Sequence, residues 1–274
     1  MKKLMLTLTF TSVIAITTLT SQIKTNHDLS CYGNILDPAS QIESTLYGIL
    51  GGGVTVTLDE ELEVGDAVFK DMQEKYTLKT SGKEFDKVNS IMNKLIGQVA
   101  KFQNPTEHEH FGKYRYKYKI YIIETDEINA FTAGARIFVT TAMYKFCESD
   151  DELACIIGHE ICHNELGHIY EKLKKHKTAQ GILGAGLGDM ANAVGSVLTA
   201  PFNQKNEGHC DLFGMDLANS AGYDACQNIK LWERMNEESE GKNIMDIFSS
   251  HPYSGDRSTC AKEHLKNNYK NNCN

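Results

Sequence analysis

The chain has 274 residues, and its 28 Lys and Arg against 36 Asp and Glu give a formal net charge of −8. With 41% hydrophobic and 23% charged residues it has the composition of a globular protein, which excludes a disordered chain. The acidic balance argues against a nucleic-acid partner, since neutralising phosphates requires a basic face.

Residues 1–21 have the layout of a secretory signal peptide. Lys2 and Lys3 precede an apolar stretch over residues 4–16, and small polar residues follow it. Because this stretch is short for a membrane span, we expect an exported protein, periplasmic or extracellular. Membrane association would then require that the N-terminus stays uncleaved.

The chain contains eight cysteines, an even number. An exported chain meets oxidising conditions that permit disulfides, but the spacing of the cysteines leaves their pairing open. Cys155 and Cys162 lie on roughly one face of a predicted helix, where we expect buried apolar packing.

The first predicted elements are two helices over residues 59–78 and 83–102. In the second helix, apolar residues recur at spacings of three and four and form one stripe. Residues 114–122 instead alternate between apolar and polar, which is typical of a half-buried strand. A second strand over residues 136–140 follows a turn at Gly134, which favours a hairpin-like unit.

The second half of the chain is predicted to be helical. Residues 149–152 form a capping-box pattern that predicts a helix from there to about residue 175. Residues 181–202 are rich in Gly and Ala, and we interpret them as a mobile or loosely helical insertion. A further helix is predicted over about residues 204–220, closed by Gly222.

The helix that begins at the capping box carries His159, Glu160 and His163 in the pattern His-Glu-x-x-His. Positions four apart lie one turn above each other, so both imidazoles can bind one metal ion from the same face. Glu160 is displaced by one residue and can reach a water at the metal without being a ligand. The alternative is two surface histidines on an amphipathic helix, without chemistry.

A catalytic zinc needs a third protein ligand and an open position for water. In one sequence context the third ligand is a histidine six residues after the second, but position 169 is isoleucine, and His168, displaced by one, is expected to be a helix-surface or supporting histidine. In the other context the third ligand is a glutamate from a later helix. Glu207, on the helix predicted over about residues 204–220, is therefore the expected third ligand. Asp211 lies one turn further and faces the same way, so we expect it to orient a ligand histidine through its free N–H.

Four stretches, in this order, resemble the M48 family of zinc metalloproteases, specifically its soluble exported members. They are INAFTAGARIFVTTAMY, DDELACIIGHEICHNELGH, NQKNEGHCDLFGMDLANSAGYD and HPYSGDR, and an upstream EELEVGDAVF extends the similarity to roughly residues 58–260. The resemblance implies a mainly α-helical α+β fold, a zincin-like domain with a small antiparallel sheet and a downstream ligand helix. This domain would cover residues 58–262, between an N-terminal segment over residues 22–57 and a polar tail over residues 263–274.

Matched residue by residue, the resemblance implies zinc ligands at His159, His163 and Glu207 and a catalytic glutamate at Glu160. The resemblance thus implies one zinc ion per chain. The aspartate that trails the ligand glutamate in the family falls on Asp211.

The family's His-Pro…Arg element falls on His251, Pro252 and Arg257. Three interpretations of His251 stay open: it stabilises the oxyanion, it is a reversible extra zinc ligand, or it is a loop histidine that supports the fold. We expect Arg257 to pair with a buried carboxylate, with Asp211 as the candidate.

The chain departs from the family pattern in two places: Asn203-Gln204 stand where the family has Ser-Arg, and Cys210 stands where it has Ala. Neither replaces a ligand. Asn129 and the strand around residues 137–140 are expected to offer backbone groups to an extended peptide, or to be only a core element. The remaining histidines are expected to be solvated; they are His27, His108, His110, His176, His209 and His264.

The leading hypothesis is a zinc-dependent endopeptidase that hydrolyses proteins outside the cytoplasm, with Glu160 shuttling the proton. The resemblance links such enzymes to quality control of envelope proteins. The alternative is a chaperone-like or binding module that cleaves little and whose zinc is held by four protein ligands, with His251 as the fourth. A non-proteolytic zinc hydrolase is a weaker alternative.

Overall fold

The computed structural model describes residues 22–32, 49, 52–182, 190–240 and 256–273. The predicted signal peptide over residues 1–21 lies outside them, and so do His251 and Pro252. Within the described ranges, no helix is both long and apolar enough to cross a membrane.

The prediction of a mainly α-helical α+β fold is confirmed. The helices are α1 (Leu58–Lys75), α2 (Lys83–Val99), α3 (Thr141–Phe146), α4 (Asp150–Glu165), α5 (His168–Ile182), α6 (Met190–Thr199), α7 (Gln204–Ser220), α8 (Gln227–Glu240) and α9 (Arg257–Tyr269). The strands are β1 (Leu78–Lys79), β2 (Lys119–Ile123), β3 (Ala130–Ala133) and β4 (Arg136–Thr140), and a short 3-10 turn covers Ser30–Tyr32.

Most helix ends agree with the local signals. Ser149 caps α4, its hydroxyl accepting a hydrogen bond from the backbone N–H of Glu152 over 3.2 Å. The helix predicted to run to residue 175 is divided into α4 and α5 because Gly167 has φ +83°, which a helix does not allow. Gly222, with φ +87°, follows α7 as predicted.

The sheet is mixed, with strand order β1-β2-β4-β3. β2 and β4 run parallel, with Ile120 opposite Ile137, whereas β1–β2 and β3–β4 are antiparallel. The sheet was predicted to be antiparallel, and the two predicted strands were expected to form a hairpin. Both predictions are wrong, because β2 and β4, which correspond to those strands, run parallel. The hairpin is formed by β3 and β4. Alternation identifies the buried face of a strand but not its neighbour.

β4 is buried along its whole length and has β2 and β3 on its two sides. Its backbone is therefore not available to an extended peptide, and the strand around residues 137–140 is a core element. β3 lies at the edge of the sheet and packs against α4.

α4 is buried along almost its entire length, and α7 crosses it at very short distance. A Cβ atom on Gly214 would lie 2.9 Å from the backbone N of His159, and one on Gly158 would lie 2.9 Å from the carbonyl O of Gly214. The two glycines thus allow the helix backbones to touch beside the first histidine of the motif.

Two disulfides connect distant parts of the described chain. Cys31–Cys260 joins the N-terminal segment to α9, and Cys226–Cys273 joins the residue before α8 to the chain end. Cys155 and Cys162 are buried free thiols, as their spacing predicted.

Candidate metal centre

Three side chains with metal-binding groups converge between α4 and α7. His159 and His163 lie one turn apart on α4, and their Nε2 atoms are 3.0 Å apart. Glu207, in the first turn of α7, has Oε2 3.3 Å from His159 Nε2 and Oε1 3.4 Å from His163 Nε2. All three residues are buried.

The chemistry of this donor set fits a metal ion. Donor atoms about 2.1 Å from a tetrahedral zinc ion lie about 3.4 Å from one another, close to the spacing here. Two imidazoles and one carboxylate leave a further position open. Although burial lowers the pKa of His159, the charge of Glu207 and the hydrogen bond with Asp211 raise it to about 10, so the surroundings favour positive charge at this point.

The buried carboxylate of Asp211 holds His159 from the other side of the ring. Asp211 Oδ1 lies 3.0 Å from His159 Nδ1, which leaves Nε2 directed toward the other donors. Asp211 Oδ2 accepts hydrogen bonds from the Tyr32 hydroxyl over 3.0 Å and from Arg257 Nε over 2.7 Å, and Arg257 Nη2 contacts Oδ1. The guanidinium lies 3.5 Å from the centre of the Trp232 ring.

The charge of Asp211 is set by these neighbours. Burial raises its pKa, but Arg257 and His159 outweigh burial and hold the pKa below its ordinary value. The carboxylate is therefore ionised at neutral pH and pairs with Arg257, the partner that the sequence analysis expected. Sequence reasoning missed Tyr32, which no motif marks.

His163 is supported differently. Its ring stacks on Phe202 with the ring centres 3.8 Å apart, and its Nδ1 lies 3.1 Å from Nδ1 of His168. His168 is buried and is therefore not a helix-surface histidine. Burial also lowers its pKa to about 3, so the ring is neutral. Cys210 Sγ is 3.3 Å from His168 Nδ1, and it forms with His159 and His163 a group whose donor atoms all lie within 4.8 Å.

A cavity opens beside the donor cluster, and Glu160 lines it. The other lining residues are Ala130, Met143, Ile156, His159, Trp232, Met235 and Arg257. The wall of the cavity thus combines residues of α3, α4, α8 and α9 with the first residue of edge strand β3. A group that enters it meets Glu160 and His159 together.

Of the histidines that were expected to be solvated, His110 and His264 are buried and His27 is half-buried. His27 and His264 both bind Asp216, with Nε2–Oδ distances of 2.8 and 2.7 Å. His110 Nδ1 lies 2.6 Å from a carboxylate oxygen of Glu61. The expectation was wrong because each carboxylate partner lies far away in the sequence, where no local pattern points to it.

Residues 83–264 match the sequence model of peptidase family M48. The chain is 25% identical over 192 residues to the beta-barrel assembly-enhancing protease of Yersinia pestis, covering 63% of this chain and 37% of that protein. It is 29% identical over 151 residues to the mitochondrial metalloendopeptidase OMA1 of Schizosaccharomyces pombe, covering 52% and 44%. It is 22% identical over 219 residues to the metalloprotease LoiP of Escherichia coli, covering 74% and 79%. The chain thus spans less than half the length of the first two relatives.

Proposed function

The chain belongs to peptidase family M48, and on that premise we propose that it is a zinc-dependent endopeptidase that hydrolyses peptide bonds in proteins. One observation carries the proposal: the donor atoms of His159, His163 and Glu207 lie 3.0 to 3.4 Å apart, beside a cavity that Glu160 lines. One zinc ion per chain would occupy this point.

Each side chain has one part in the reaction. His159, His163 and Glu207 hold the zinc ion, which when bound lowers the pKa of a water molecule and polarises a carbonyl oxygen. Glu160 accepts a proton from the attacking water and donates it to the leaving amine nitrogen. Asp211 keeps His159 in the tautomer that carries its proton on Nδ1, so that Nε2 can bind the ion.

We infer that the substrate binds as an extended strand along β3. The outer edge of β3 has no strand beside it among the described residues, and Ala130, where β3 begins, lines the cavity. A peptide that pairs with this edge by backbone hydrogen bonds would carry its scissile peptide bond to the cavity beside His159 and Glu160. This edge replaces β4 as the proposed peptide-binding strand.

The substrates that we propose are proteins outside the cytoplasm, misfolded or in assembly at the cell envelope. The signal-peptide pattern of residues 1–21 supports export. Similarity to a protein that is named beta-barrel assembly-enhancing protease supports the envelope.

One observation favours a second function. The Cys210 thiol lies within 4.8 Å of donor atoms of His159 and His163, so a thiolate could join Glu207 in a closed four-ligand site, as in structural zinc. The chain would then be a binding or chaperone-like module. Cobalt-substituted protein distinguishes the two, because a bond from Cys210 gives a thiolate-to-metal charge-transfer band that Cys210→Ala abolishes. An endopeptidase whose metal is held by His159, His163 and Glu207 should show no such band.

The test of the proposed function compares Glu160→Gln with the wild type after zinc analysis of both. The variant should retain its zinc and lose casein cleavage by about 10²–10⁴-fold, the usual contribution of proton transfer. Glu233→Gln removes an exposed carboxylate on α8 that pairs with Lys262, and as the control it should cleave like the wild type. Full activity of Glu160→Gln would exclude the mechanism.

A further inference from the structure

Two segments that are far apart in sequence meet at Asp211. The Tyr32 hydroxyl, in the N-terminal segment, donates to Asp211 Oδ2 over 3.0 Å. Arg257, the first residue of α9, donates from Nε to the same oxygen over 2.7 Å. Asp211 itself contacts His159 Nδ1, so both donors act on a carboxylate that holds a candidate metal ligand.

One disulfide ties these two donors together. Cys31 directly precedes Tyr32, and Cys260 follows Arg257 by three residues, almost one turn further along α9. The bridge closes a sequence separation of 229 residues, with its Cα atoms 5.3 Å apart. Because a disulfide keeps its two Cα atoms within about 7 Å of each other, the end of the N-terminal segment cannot move away from α9 while the bridge is intact.

The surface of α7 is shaped to receive Tyr32. A Cβ atom on Gly208 would come within 3.0 Å of the Tyr32 ring and within 3.1 Å of Leu29. A larger residue there would push the ring away from the helix. Tyr32 is thus buried with its ring against Gly208 and its hydroxyl on Asp211.

We propose that Tyr32 is a positioning residue of the metal centre and that the Cys31–Cys260 disulfide holds it there. The inference rests on the proposed function, since Tyr32 acts on zinc through Asp211 and His159. Without the hydroxyl, Asp211 loses one of the hydrogen bonds that direct it, the His159 ring is less fixed, and zinc leaves more readily.

The bridge acts on the same contact, so reduction should loosen zinc. A phosphine reductant and one water cleave the S–S bond: the phosphine becomes a phosphine oxide, and Cys31 and Cys260 each become a thiol. Hydrogen bonds of Ile23 with Lys101 and of Thr25 with Asp216 still hold the start of the segment. The end that carries Tyr32 is released.

The experiment measures how tightly the full chain holds zinc, with a chromogenic chelator as competitor. Tyr32→Phe should raise the zinc dissociation constant about 10-fold while unfolding stays cooperative. The pair Cys31→Ser and Cys260→Ser should raise it at least as much. Adding Tyr32→Phe to that pair should add little, because both changes act on one contact.

The second disulfide supplies a matched control. Cys226 and Cys273 belong to a separate apolar cluster that contains Ile229 and Leu265. The pair Cys226→Ser and Cys273→Ser should lower the melting temperature but leave the zinc dissociation constant within about twofold of the wild type. In that background the phosphine opens only the Cys31–Cys260 bridge, and it should reproduce the loss of affinity.

The outcomes separate this inference from the proposed function. Wild-type zinc affinity in Tyr32→Phe, or equal weakening by both cysteine pairs, would overturn the inference and leave the endopeptidase intact. If His163→Ala bound as much zinc as the wild type, the zinc site itself would be wrong, and both the proposed function and the inference would fail.

Discussion

Asp211 connects the metal centre to three separate parts of the chain. It contacts His159 on α4, Arg257 on α9 and Tyr32 in the N-terminal segment, and it is almost fully buried. Asp211 and Arg257 are both buried, so the charge of each depends on the other for its compensation. Any change at Asp211 therefore affects both the orientation of the ligand and the stability of the fold.

Asp211→Asn should weaken zinc binding and destabilise the chain. The amide cannot neutralise the buried Arg257, and breaking such a pair costs about 3–5 kcal/mol, which urea unfolding would measure. Because His159 loses its charged partner, the zinc dissociation constant should rise about 10- to 100-fold in chelator competition. Asp71→Asn, which breaks only a surface pair with Lys75, is the control and should change stability by less than about 1 kcal/mol.

The residues of the centre differ in how far sequence could predict them. His159, Glu160 and His163 share one helix, and Glu207 and Asp211 share another, so helical periodicity alone predicts which face each occupies. Tyr32 lies 179 residues from Asp211, and their contact is made by tertiary packing. The periodicity of a helix carries no information about such a partner.

At the scale of elements, the centre depends on two helices whose starts are marked in the sequence. Ser149 caps α4, and the Asn203 side chain caps α7 by accepting from the backbone N–H of Asn206 over 2.8 Å. The departure from the family's Ser at position 203 therefore keeps a good cap. These local signals explain why both helices were predicted, whereas the parallel pairing of β2 and β4 depends on residues far apart.

The crossing of α4 and α7 should not tolerate a side chain. In Gly214→Ala the new Cβ would lie 2.9 Å from the backbone N of His159, so the helices must separate and carry Glu207 away from the histidines. Overpacking of this kind costs about 1–3 kcal/mol, more than the gain of about 1 kcal/mol that alanine brings to a helix. We expect lower thermal stability together with weaker zinc binding.

The control for this substitution is another helical glycine. A Cβ atom on Gly97 of α2 would have no described atom outside its own helix backbone within 4 Å, so Gly97→Ala should keep zinc affinity and leave stability unchanged or raised by up to about 1 kcal/mol. If Gly214→Ala behaved like Gly97→Ala, close contact of the helices would not be required for the centre.

At the scale of the whole molecule, the N-terminal segment and the last helix are held together at Asp216. This carboxylate is fully buried on α7 and binds His27 from the segment and His264 from α9. It also accepts hydrogen bonds from the hydroxyls of Thr25 and Tyr269, over 2.6 and 2.7 Å. The boundary predicted at residue 58 stays a prediction, but residues 22–32 contact α7, the helix that carries Glu207 and Asp211.

This junction should make the fold sensitive to acid. Burial raises the pKa of Asp216, but the hydrogen bonds with His264 and His27 outweigh burial and hold the pKa well below its ordinary value. A depressed folded pKa means that the ionised carboxylate contributes stability above the unfolded pKa of about 3.9 and loses it as pH falls below that value. Each proton taken up on unfolding in that range removes about 1.4 kcal/mol per pH unit.

The comparison that isolates this contribution is the difference in unfolding free energy between wild type and Asp216→Asn, measured with urea at pH 5 and at pH 3. At pH 5 the wild type should be more stable by about 3 kcal/mol, the cost of breaking a buried pair. At pH 3 the gap should be narrower by about 1 kcal/mol, because only the wild type must protonate this carboxyl as it unfolds. Equal differences at the two pH values would mean that Asp216 is not ionised in the fold, and the two ends of the molecule would then be joined by neutral hydrogen bonds and the Cys31–Cys260 disulfide rather than by charge.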